Sequence, residues 1–186
     1  MRTNLLSGPI LRSSVLGALC LGLGASSMWA AHAPASNAVP PVQEGVRHAL
    51  VMIPYLSVFD ELSFQVDNGT VTLLGAVTKP FLKDDAENAV RRVAGVTAVN
   101  DQIEVLPLSP FDDRIRVQTL RALARTPSVN RYFAGTMPSI RIIVKNGHVT
   151  LDGVVDRAMD SQLAYTAANQ VPGVFSVTND LRVEVR

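Results

Sequence analysis

Apolar and polar residues alternate along two stretches of this chain. Leu62, Phe64 and Val66 lead into Asp67-Asn68-Gly69, and Val71, Leu73 and Val77 follow. Ile140, Ile142 and Val144 lead into Asn146-Gly147, and Val149, Leu151 and Val155 follow. A period of two is that of a strand with one buried face. Asn-Gly between such runs predicts a tight hairpin, because a type I′ turn needs positive φ at both central residues. Gly75 and Gly153 take apolar-phase positions. A glycine inside a strand signals a bulge or the close approach of another element, here expected to be a helix.

Four longer stretches carry a helical period. Residues 42–52 and 112–125 stop short of Pro54 and Pro127, which cannot continue a helix. Residues 79–93 offer a stripe of Phe81, Ala86, Ala89, Val90 and Val93. Residues 157–171 offer Met159, Leu163, Ala167 and Val171 at steps of four. Gly95 and Gly173 stand just past these helices, where a left-handed cap favours glycine. Val99, Ile103 and Val105 predict a last strand, as do Val177, Leu181 and Val183.

The order is therefore α-β-β-α-β, given twice. Residues 66–105 and 144–183 align without a gap at an offset of 78, with 15 of 40 positions identical. Each copy is one structural unit. The expected fold class is α+β, with two tandem domains, each a three-stranded mixed sheet covered on one face by two helices. A right-handed crossover makes the third strand parallel to the second. The expected domains are 42–106 and 112–186, joined by a stiff linker at 107–111 that holds Pro107 and Pro110.

The residues Asn68-Gly69-Thr70-Val71-Thr72-Leu73-Leu74-Gly75 and Asn146-Gly147-His148-Val149-Thr150-Leu151-Asp152-Gly153 share the pattern N-G-x-V-x-L-x-G. Val-x-Gly-Val follows at 93–96 and 171–174, and Val99-Asn100-Asp101-Gln102-Ile103 is matched by Val177-Thr178-Asn179-Asp180-Leu181. With these motifs the chain resembles the BON-domain family, over nearly all of its length after the N-terminal segment. The resemblance implies a non-enzymatic protein of the bacterial envelope that binds phospholipid surfaces or partner proteins. It implies no particular ligand residues, and a fold alone does not give function.

The N-terminus adds a location. Arg2 and Arg12 precede an uncharged apolar run at 15–25, then small residues. That is the order of a secretory signal peptide, expected at 1–33 with a flexible leader at 34–41. Cleavage after Ala33 fits the A-x-A rule, and Ala31 and Ala35 are alternatives. The run is far short of the roughly 20 residues of a spanning helix. A periplasmic protein with peripheral rather than spanning membrane contact is expected. The single cysteine, Cys20, leaves with the signal, so no internal disulfide or thiolate metal site follows.

Charge is uneven. Residues 42–106 hold five Lys/Arg and nine Asp/Glu (5 − 9 = −4), and residues 107–186 hold ten and seven (10 − 7 = +3). The balance gives no general affinity for nucleic acid, and contact between the halves is its plainest meaning. Two domains of 60–75 residues would each be marginal alone, so the copies are expected to pack together.

Little here suits catalysis, a metal or a cofactor, and none is expected. His48 and His148 stand one in each copy, and His148 faces Thr70 in the alignment, as a surface histidine would. Asp84-Asp85 is read as a helix-dipole pair, since its counterparts are Gln162 and Leu163.

Three departures of the second copy from the first could carry a task. Arg114, Arg121 and Arg125 fall within about one-ninth of a turn of each other on the first helix, just after Phe111. Such a basic face can rest on anionic headgroups at about 1 kcal/mol per cation, although a solvated polar face is the plainer reading. Pro127 to Ile140 spans thirteen positions where Pro54 to Leu62 spans eight, and the longer loop holds Arg131, Tyr132, Phe133 and Met137. It can bind a partner, or its aromatic residues can cap the sheet. The third departure is the charge contrast itself. The expected function is envelope maintenance under osmotic stress through anionic phospholipid bound by the second domain. The alternative is a soluble module engaging an envelope protein without lipid.

Overall fold

The structure is a computed structural model that describes residues 41–135 and 138–184. The expected signal peptide, the leader up to residue 40, and Met137 lie outside the described residues. The first copy runs α1 (Pro41–Val51), β1 (Glu61–Asp67), β2 (Thr70–Val77), α2 (Pro80–Arg91), β3 (Ala98–Asp101) and β4 (Glu104–Val105). The second runs α3 (Pro110–Arg125), a 3-10 turn (Asn130–Phe133), β5 (Ile140–Lys145), β6 (His148–Val155), α4 (Ala158–Asn169) and β7 (Ser176–Val183).

Each hairpin is antiparallel, and each third strand lies parallel to the hairpin's second strand. Both sheets are thus mixed, as the sequence predicts. At the hairpin tips Asn68 and Gly69 have φ of 48° and 83°, and Asn146 and Gly147 have 52° and 79°. Positive φ at both central residues is what the tight turn demands. The helices cover one face of each sheet. Val71, Leu73 and Val77 meet Val46, Leu82 and Val90 in the first core, and Val149, Leu151 and Val155 meet Ile115, Leu123 and Ala164 in the second.

Several expectations change. A Cβ on Gly75 would lie 2.2 Å from the Glu61 carbonyl oxygen, and one on Gly153 would lie 1.9 Å from that of Ser139. The close neighbour is therefore the backbone at the partner strand's start, not a helix. Helix α3 begins at Pro110, so Phe111 belongs to its first turn rather than to the linker, and α1 likewise takes Pro41 from the leader.

The buried stripes of α2 and α4 are Leu82, Ala86, Val90 and Asp160, Ala164, Ala168. Phe81 and Met159 lie outside them and are 43% and 66% exposed. Apolar spacing could not place a carboxylate inward. Asp160 turns in because Tyr132 and Arg131 both donate to it. Asp84 and Asp85 sit beyond the first turn of α2, where the dipole has little hold.

The third strand of the first copy is broken. Asp101 Oδ1 accepts the N–H of Ile103 at 2.9 Å, and Lys83 Nζ donates to the Ile103 carbonyl at 2.6 Å. The repeat-equivalent pair is Asn179 and Ser161, whose side chains meet at 2.9 Å, and there the strand runs on.

The two copies touch. Val58 and Phe59 of the first pack against the core of the second. Ile142 N–H, on edge strand β5, donates to the Val58 carbonyl at 2.9 Å. Arg141 donates to the Ser57 carbonyl at 3.2 Å, and Lys145 pairs with Glu104. One ion pair, Lys145 with Glu104, thus joins the acidic first copy to the basic second, beside apolar packing and bonds to backbone carbonyls.

Candidate functional site

Helix α3 is held hard on its inner face. Ser109 caps it by accepting from Asp112 N–H at 3.2 Å, with Pro110 next and Asp112 and Asp113 in the first turn, where the dipole favours acids. Asp112 is fully buried and accepts from Asn146 N–H at 2.9 Å and Gly147 N–H at 2.8 Å. Arg116 is also buried and reaches the Val144 carbonyl at 2.7 Å. A charged side chain at each site fixes the helix to the hairpin, because an unpaired buried charge would be costly.

The outer face is left free. Arg114, Arg121 and Arg125 are all exposed, with half-way Val117 exposed beside them. Among the described residues none of the three arginines forms an ion pair. Arg121 and Arg125 line an open groove of about 430 Å³ whose far wall is Ala167, Gln170 and Val171 of the second copy. The corresponding face of α1, at an offset of 73, carries Pro41, His48 and Met52, so the basic stripe is specific to the second copy.

Phe111 stands at the N-terminal end of this stripe and is 42% exposed. Its ring lies 6.0 Å from that of Phe175, which is 70% exposed and packs on the Gly147 turn. The His148 ring meets Phe175 edge-on at 6.0 Å, and its Nδ1 lies 2.7 Å from Ser176 Oγ. An aromatic ridge thus runs from Phe111 through Phe175 to His148. Phe175 did not emerge from reading each motif alone, yet the repeat signals it, because Thr97 holds that place in the first copy.

The structure separates the longer loop from this surface chemistry. Tyr132 is buried; its hydroxyl donates to Asp160 Oδ2 at 2.7 Å and accepts from Asp156 N–H at 2.9 Å. Arg131 lies over the Tyr132 ring at 4.8 Å and donates to Asp160 at 2.6 Å. The hydrogen bond to Tyr132, then the nearby Asp160 and Asp156, hold the Arg131 guanidinium above its ordinary value. Phe133 is partly buried against the same core. Tyr132 and Phe133 thus face the core of the second copy, while the exposed Arg131 is engaged by Asp160 and Asp156. No cluster of metal-ligating side chains occurs among the described residues, and no described helix is long and apolar enough to cross a membrane.

A family model described as the BON domain matches residues 42–107 and again 111–185. Osmotically-inducible protein Y of Escherichia coli (strain K12) is 27% identical over 132 residues, which cover 67% of this chain and 62% of that protein. The match thus leaves more than a third of the relative's length unspanned. Among solved structures, the C-terminal domain of CdsD, a structural protein of the type III secretion system of Chlamydia trachomatis, is 12% identical. It covers 79% of this chain and 99% of that one, at a TM-score of 0.28. A second CdsD structure gives 13% identity and a TM-score of 0.27, covering 77% of this chain and 92% of that one.

Proposed function

Since the chain belongs to the BON-domain family and carries two such domains in tandem, we propose that it is a non-enzymatic periplasmic protein of osmotic-stress and envelope maintenance whose second domain rests on anionic phospholipid. The likeness to osmotically-inducible protein Y supports the stress setting, and the signal-like N-terminus supports export.

One observation carries the lipid reading: Arg114, Arg121 and Arg125 lie along the solvent side of α3 without an ion-pair partner among the described residues. An arginine free of carboxylates keeps its full attraction for phosphate, and its planar fork suits phosphate oxygens. Three such groups give about 3 kcal/mol at an anionic surface. Phe111 and Phe175 add an apolar edge at one end, of the kind that buries at the boundary of headgroups and acyl chains. Attraction of this kind is peripheral and screened by salt.

Binding to vesicles containing phosphatidylglycerol, followed from about 20 to 300 mM salt, tests it. Affinity falls steeply with salt if the basic stripe makes the contact. Binding that is insensitive to salt, or equal on neutral phosphatidylcholine, contradicts it. The alternative route, partner capture by residues 131–137, has less to offer, because Arg131 and Tyr132 are occupied by Asp160.

A further inference from the structure

We propose that the outer edge of β7 pairs with the same edge of a second molecule, antiparallel and about a two-fold axis at Leu181, so that Asp180 of each molecule meets Arg182 of the other. A sheet edge offers unpaired N–H and C=O groups, and a long uncovered edge is a template for another strand. The second domain's sheet has the order β5-β6-β7, so β5 and β7 are its edges. The β5 edge is engaged by a strap at residues 57–59 of the first domain, where the Val58 carbonyl accepts from Ile142 N–H at 2.9 Å. β7 pairs on one side only, with β6. Its residues are exposed except the half-buried Val177 and Leu181.

The first domain protects the same edge. Its strand is split into β3 and β4, and Lys83 Nζ donates to the Ile103 carbonyl at 2.6 Å. Short strands and lysines are common ways of blunting an edge. In the second domain Ser161 stands in the place of Lys83, and β7 runs unbroken for eight residues. Glu184 N–H donates to the Val155 carbonyl at 2.9 Å, and Val155 stands opposite Val183. Bonds to a parallel neighbour come from every second residue, so the even-numbered residues of β7 serve β6, and 177, 179, 181 and 183 aim their N–H and C=O outward. Leu181 N–H accordingly meets the Asn179 Oδ1, at 3.4 Å, beyond the ordinary hydrogen-bond range.

The charges on this edge match themselves. An antiparallel partner centred on Leu181 brings Leu181 against Leu181, Asn179 against Val183, and Asp180 against Arg182 twice. Leu181 packs on the helix-side core, so Asp180 and Arg182 project from the bare face of the sheet. Opposite charges facing across two strands attract, and like charges repel. The two neighbouring registers that use the same outward groups set Asp180 against Asp180, or Arg182 against Arg182, so charge selects one alignment. Asp180 also stands beside Asp152 in the β6 register, and neither carboxylate forms an ion pair among the described residues, nor does Arg182. The partner's Arg182 supplies the cation that Asp180 lacks. Residues directly opposite in such a pair share a face, so the two sheets join as one with both helix layers on the same side.

Sedimentation equilibrium of residues 34–186 at low salt, from about 10 μM to about 1 mM, reads this pairing, since a contact limited to one strand edge gives a weak dimer. The wild type shows a monomer–dimer equilibrium. Asp180→Arg and Arg182→Asp each set like charges against each other, and each lowers the association constant about tenfold or more. Mixed together, the two variants associate about as well as the wild type, because one then carries two arginines on the bare face and the other two aspartates. A variant that had merely lost its fold would not be rescued in this way. A wild type that stays monomeric to the highest concentration overturns the proposal. So does a dimer that neither reversal weakens, or a mixture that associates no better than its parts.

Discussion

The hydroxyl of Tyr132 and the backbone N–H of Asp156 meet at 2.9 Å, and they do in the second domain what Asp60 and Thr78 do in the first at 2.6 Å. Residues 78 and 156 are equivalent in the repeat. Each needs a partner for its N–H where the second strand ends and the helix begins. A carboxylate from a short loop supplies it once, and a phenol from a longer loop supplies it the second time. The additional residues of that loop thus have a structural purpose.

Tyr132→Phe removes the hydroxyl while keeping the ring. It strips Asp156 N–H of its partner and leaves the buried Asp160 carboxylate with Arg131 alone. The expected loss is about 1–3 kcal/mol of stability, read from urea unfolding. An unchanged midpoint would show that water replaces the phenol without cost.

Gly153→Ala puts a Cβ 1.9 Å from the Ser139 carbonyl at a φ of +132°. Both the clash and the left-handed backbone penalise it, by about 2 kcal/mol or more. Gly135 is also left-handed, at +101°, but a Cβ there meets nothing within 4 Å. Gly135→Ala therefore costs about 1 kcal/mol, from the backbone alone. Equal losses at the two sites would mean that the strand contact is irrelevant.

The Lys145–Glu104 pair joins the domains, but its side chains are 48% and 49% exposed. A double-mutant cycle to Ala is expected to give about 0.2–1 kcal/mol at low salt and less at high salt. A coupling well above that range would give this pair, rather than the strap, the chief part in holding the junction.

Much of the fold was legible because the repeat states each rule twice. Asn68-Gly69 and Asn146-Gly147 name both turns, and the alternating runs name the strands that follow. What stayed hidden depends on contacts between distant positions. Nothing in the period of α4 says that Asp160 faces inward, since its partners lie 28 and 29 residues away. Gly75 and Gly153 announce a close approach but not what approaches. The candidate surface was half legible. The helical period aligned Arg114, Arg121 and Arg125, while Phe175 joined Phe111 only through the meeting of α3's first turn with the segment before β7.

Flotation of residues 34–186 with phosphatidylglycerol-containing vesicles, beside a variant with Arg114, Arg121 and Arg125 all changed to Ala, tests the basic face of α3 most directly. All three positions are exposed, so the variant should fold as the wild type does. The wild type floats with anionic vesicles and stays behind with neutral ones, and the variant loses most of that binding, about tenfold or more for charges near 1 kcal/mol each. A folded variant that floats as well as the wild type would contradict the assignment of lipid contact to this helix.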